Sequence, residues 1–159
     1  IKNQVENSTI LLLSILLIDF KDNQEYFSHK YKVSRKISDN LDLLGNKFKE
    51  LKDDKEFFKK NIKSNLYHIG LKNMKILFCL LFLDRKKISI KETSFCRDME
   101  KISIPKFPYD GKVLLKKGVK EGKKVGIILN EAEKIWVKND FKLSSKDFET
   151  IITKNNIKN

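Results

Sequence analysis

An all-α fold, a helical bundle of about seven to nine helices in two small lobes, is what this chain of 159 residues predicts. Three observations lead there. Two prolines and six glycines are few for the length, so long segments run without interruption. Apolar residues recur at steps of three and four, the period of a helix with one face against a core. No stretch alternates apolar and polar residues as a half-buried strand would, and no internal repeat is present. A hydrophobic content of 40 % is enough to bury a core at this size.

Residues 9–20 are apolar nearly all round and predict a buried first helix. The apolar run 10–18 falls well short of the ~20 residues a membrane span needs, and no small-residue cleavage site follows it. Residues 23–32 carry Tyr26, Phe27 and Tyr31 at helical spacing. Ser34 stands where an N-cap is needed, and Ile37, Leu41, Leu44, Phe48 and Leu51 then form a 3.6-residue stripe. After a charged turn at 52–55, a helix using Phe57, Phe58, Ile62, Leu66 and Ile69 is expected to end near Gly70. Residues 71–84 make a strongly apolar helix at the centre of the core, and 91–102 a shorter one with Phe95 and Met99 four apart.

The segment Ile104-Pro105-Lys106-Phe107-Pro108 then breaks helicity, because the residue before each proline is pushed toward extended geometry. The domain boundary is placed there, giving a helical body at 1–103 and a helical tail at 104–159. The tail is expected to hold a short helix at 111–117, a Gly-Val-Lys-Glu-Gly turn and a long helix at 123–139. That helix presents Val125, Ile128, Leu129, Ala132, Ile135 and Trp136 on one face. Ser144 or Ser145 should cap a last helix running through Ile152, with 155–159 fraying.

A formal net charge of +13 asks for an acidic partner. Lysine is spread along the whole chain, so where it clusters says more than how often it occurs. The densest stretch is 106–126, where seven lysines stand against Asp110 and Glu121 among Gly111, Gly118, Gly122 and Gly126. Lys123 and Lys124 fall in the first turn of the long helix, where cations oppose the macrodipole by a few tenths of a kcal/mol each. A bound phosphate reverses that sign, because it accepts from free amides and pairs with both ammonium groups. Lys112, Lys116, Lys120, Lys123 and Lys124, with the amides near Gly122, are the candidate phosphate-backbone contacts, and Arg35 and Lys36 are secondary ones. Gly118 belongs with Gly122 in this reading. Gly126 is read as allowing close helix packing, and Trp136 as a core residue rather than a stacking one.

Cys79 and Cys96 are too few for a disulfide framework, and Cys79 lies inside an apolar run. No Cys, His or carboxylate spacing has the form of a metal site, and no catalytic residue is assigned. A reduced, cytoplasmic protein with no membrane partner is the plain expectation.

Phe107, Pro108, Gly111, Leu114, Gly118, Val119, Gly122, Val125, Gly126, Leu129, Glu133 and Trp136 carry a resemblance. They resemble the C-terminal region of bacterial tRNA nucleotidyltransferases, the CCA-adding enzymes, and of the related poly(A) polymerases. The pattern there runs approximately F-P-x-x-G-x-D-L, then G-[IV]-x-x-G-x-x-[IV]-G, then L-x-x-x-E-x-x-W. Val113 departs from it where the family has aspartate, and Glu121 and Lys123 where proline is common. Val33-Ser34-Arg35-Lys36 and Leu66-Tyr67-His68-Ile69-Gly70 are similar to upstream family segments more loosely.

The resemblance implies the C-terminal, tRNA-binding portion of such an enzyme, gripping the acceptor stem and elbow of tRNA. Catalysis, with Mg and CTP or ATP, is implied for an N-terminal head and neck. Their Gly-Ser loop, Asp-x-Asp and Glu-Asp-x-x-Arg motifs do not occur here, and a start at Ile1 suggests a fragment. The alternatives are the matching part of a poly(A) polymerase, a non-enzymatic helical adaptor for nucleic acid, or a protein-interaction bundle.

Overall fold

The computed structural model describes residues 9–19, 21–51, 57–58, 60–83 and 90–157, and among these it is all-α, with no strand. The chain divides into two compact units, Ile1–Ser103 and Ile104–Asn159. No helix among the described residues is long and apolar enough to cross a membrane.

The first unit contains α1 (Thr9–Leu17), α2 (Asn23–Tyr31), α3 (Arg35–Leu51), α4 (Ile62–Ile69), α5 (Leu71–Leu83) and α6 (Ile90–Lys101). The stripe on α3 is buried at Leu41, Leu44, Phe48 and Leu51, and α3 packs on α1, α2 and α5. On α5, Met74, Ile76, Leu77, Phe78, Cys79, Leu80 and Phe82 are all buried, which makes this helix the centre of the unit. Phe78 stacks on Phe82 at 4.2 Å and meets the rings of Phe58 and Phe95 at 5.4 and 5.5 Å. Where α2 crosses α3, Gly45 faces the buried Gln24, and a Cβ on Gly45 would lie 2.7 Å from Gln24 Nε2. The Lys49 ammonium pairs with the Asp22 carboxylate across the same two segments.

Two expectations change in detail in this unit. α1 is apolar nearly all round, yet only one side is buried: Leu11 and Ser14 face inward, as does Ile18 just beyond the helix, while Leu12 and Leu16 are 57 % and 77 % exposed. α4 begins at Ile62 rather than Phe57, because Asn61 turns left-handed (φ 52°) and the Asn65 amide group ties back to the Phe57 and Lys60 carbonyls. Phe57 and Phe58 therefore sit in a turn, with Phe58 packed edge-on against the α5 and α6 rings. The charged turn at 52–55, Phe20 and Asp84 lie outside the described residues.

The second unit contains α7 (Gly111–Lys116), α8 (Lys123–Lys138) and α9 (Ser145–Ile157) around Leu114, Val119, Ile128, Ala132, Phe148, Ile151 and Ile152. Tyr109 stacks on Phe148 at 3.8 Å. Trp136 is buried, with Phe107 and Phe141 set edge-on against it, so its role is packing. α9 is capped by Ser144, whose Oγ accepts from the Asp147 amide at 3.1 Å. It also runs past Ile152. Lys154 Nζ and Asn155 Nδ2 both reach the Glu131 carboxylate of α8, at 3.2 and 2.9 Å, and this holds the turn that polarity alone would have let fray.

Candidate nucleic-acid interface

Local chemistry explains how α7 starts and stops. Asp110 is its N-cap, and Oδ1 accepts from the Val113 amide at 3.0 Å. At the other end the Gly118 amide donates to the Leu115 carbonyl at 3.0 Å and the Val119 amide to the Leu114 carbonyl at 3.1 Å. This is the Schellman arrangement, with Gly118 in the left-handed position (φ 82°) and Val119 folded onto Leu114 in the core. The glycine at 118 is thus required by helix termination.

The next turn leads into α8 through Gly122, at φ 129° and ψ −157°, a conformation open essentially to glycine alone. A Cβ at Gly122 would meet no atom within 4 Å, so backbone conformation rather than crowding selects glycine there. Gly122 has no side chain to cap α8, and the first turn of α8 holds no acidic residue. The amides of Lys123 and Lys124 therefore have neither an intrahelical acceptor nor a capping side chain.

Around this uncapped end stand the lysines selected from the sequence. Lys112 is on α7, Lys116 closes it, Lys120 lies in the turn, and Lys123 and Lys124 open α8. Four of them are exposed and Lys124 is half-buried. None of the five forms an ion pair with another described residue, whereas their neighbour Lys117 is drawn to Glu149 on α9 at 3.0 Å. A shallow open groove runs between the starts of α7 and α8, lined by Lys112, Leu115, Gly122 and Gly126 together with Asp110 and Glu121. The structure thus brings Lys112 and Gly122 to one groove. Arg35 and Lys36 are in the first unit, exposed at the start of α3, where Arg35 Nε lies 3.7 Å from Asp39.

Gly126 corrects the sequence reading. It is exposed, and a Cβ there would meet nothing within 4 Å, so no helix packs closely against it. In the same unit, Gly111 is the glycine that faces the other helix, where a Cβ would reach ordinary contact, 3.4 Å, with Val125 Cγ1. Sequence reasoning also counted Asp110 only as an offsetting charge. An aspartate directly before the first helical residue is a capping signal, and it was there to be read.

The unit that carries the groove has no cysteine or histidine, and no group of three His, Cys, Asp or Glu among the described residues could hold a metal ion. In the first unit, burial and then the neighbouring Cys96 push the Cys79 thiol up to about 11, and burial likewise raises Cys96. Thiols held protonated in this way are not nucleophiles at neutral pH. What the described surface offers chemically is cations and free amides, a set suited to holding an anion. Comparison with protein families, with curated proteins and with solved structures finds no match to this chain.

Proposed function

We propose that the α7–α8 turn grips RNA backbone, and that the chain is the tRNA-holding C-terminal portion of a CCA-adding nucleotidyltransferase. The observation that carries the reading is the set of five lysines, unpaired among the described residues, around the uncapped start of α8. Each would neutralise a phosphate and release its condensed counterion, while the amides of Lys123 and Lys124 donate to a phosphate oxygen. RNA duplexes are recognised mainly through shape and backbone, so such a surface needs no base-reading side chains. Holding the acceptor stem and elbow would keep the 3′ end directed at a catalytic head and neck that use Mg with CTP or ATP. A poly(A) polymerase would use the same surface on a different RNA.

The test is competition. Labelled tRNA bound to the protein is challenged with unlabelled tRNA or with a DNA duplex of similar length. The reading expects tRNA to compete at least about tenfold better, a difference of about 1.4 kcal/mol. Equal competition by DNA would instead favour a general nucleic-acid adaptor.

A further inference from the structure

The secondary candidates Arg35 and Lys36 have neighbours that the phosphate reading leaves unused. On α2, Tyr26 and Tyr31 are 65 % and 62 % exposed, large aromatic surfaces left in water on a helix whose partner contacts are made elsewhere. The Lys30 ammonium lies between them, 5.4 Å from the Tyr26 ring centre and 5.6 Å from that of Tyr31. Tyr31 is held from behind by Phe27, at 4.9 Å between ring centres. The chain then turns left-handed at Lys32 (φ 48°) and enters α3 at Arg35 and Lys36. Within residues 26–36 there are thus two exposed rings and four cations, Lys30, Lys32, Arg35 and Lys36, and no carboxylate. The acidic residues nearest to them in sequence are Glu25, exposed on α2, and Asp39, which faces Arg35.

We propose that this face of α2, with the turn into α3, is a stacking platform for unpaired nucleotides of an RNA strand. An exposed tyrosine offers a face to any base, so stacking is indifferent to sequence, and flanking cations follow the phosphates. The present occupant of the rings is weak: an exposed ammonium over an aromatic face contributes little, and Lys30 keeps its charge interaction if it moves from the rings to a phosphate. Duplex RNA would not use the rings, because its bases are already stacked on one another. The choice of RNA over DNA rests on the proposed function; the demand for an unpaired strand does not.

The test measures the affinity of the full chain for two probes at one fixed salt concentration. One is a fluorescein-labelled single-stranded oligouridylate of about twelve residues, near the upper range of such site sizes. The other is a blunt RNA hairpin of comparable charge. Y26A/Y31A should weaken oligouridylate binding roughly 10- to 100-fold and leave hairpin binding within about twofold, the size expected for losing stacking on one or two bases. Y26F/Y31F keeps both rings and should restore binding. Circular dichroism on each variant checks that the helices remain.

An oligouridylate affinity that Y26A/Y31A does not change, or a loss that is equal for both probes, overturns the proposal. The two readings separate cleanly. Tyrosine-dependent binding of the oligouridylate with no hairpin binding would keep the platform and remove the α7–α8 grip; hairpin binding without oligouridylate binding would do the reverse. Binding of neither probe overturns both.

Discussion

Gly118, Gly122 and Gly126 lie within nine residues of one another and have three different explanations. Gly118 is the left-handed residue that ends α7, and Gly122 adopts a backbone conformation only glycine reaches easily. Gly126 is an exposed helix-interior residue with open space where a Cβ would go. G126A should therefore stabilise the protein by about 0.5–1 kcal/mol, raising its midpoint in urea, because alanine has less unfolded-state freedom to lose. A fall in the midpoint would mean that something packs on that face. Val113, one of three positions that depart from the resembled pattern, also finds a structural account: its side chain packs on the core of the second unit, where an aspartate would be poorly placed.

At the level of elements, α7 and α9 begin with good caps and α8 does not. Asp110 and Ser144 each accept an amide hydrogen bond, while α8 opens with Gly122 and two lysines. Two cations at a positive helix end lower stability, so K123A/K124A should raise the melting temperature in the absence of RNA. The gain should be up to about 1 kcal/mol at low ionic strength and fade as salt screens it. The same variant should bind RNA less well, which is the signature of residues kept for a ligand rather than for folding. Unchanged melting at low salt would show that these ammonium groups do not feel the helix end.

Helix positions were legible wherever the apolar stripe had a 3.6-residue period. α3 and α8 fall within a residue or two of their sequence limits, because the stripe and the core describe the same face, and α5 does so because its apolar run is buried almost throughout. Two kinds of feature were not legible. The left-handed turn at Asn61 displaced Phe57 and Phe58 from a helix, since an asparagine gives only a weak signal that it will adopt positive φ. The extension of α9 depends on Glu131, more than twenty residues away, and no local pattern announces it. At the candidate site the lysines were visible as a cluster, but only the structure distinguishes Lys117, tied to Glu149, from its unpaired neighbours.

For the whole molecule, the net charge of +13 would favour any polyanion, and under the proposed function it is the local arrangement that would make one part of the surface specific. A charge spread evenly would give a salt dependence that no pair of lysines controls. A grip centred on the start of α8 concentrates that dependence in a few residues. The most direct measurement is therefore the tRNA dissociation constant across a series of monovalent salt concentrations, for the native chain and for K123A/K124A. The account predicts a slope of log K against log salt flatter in the variant by up to about 2, roughly one for each phosphate contact removed. An unchanged slope would contradict it.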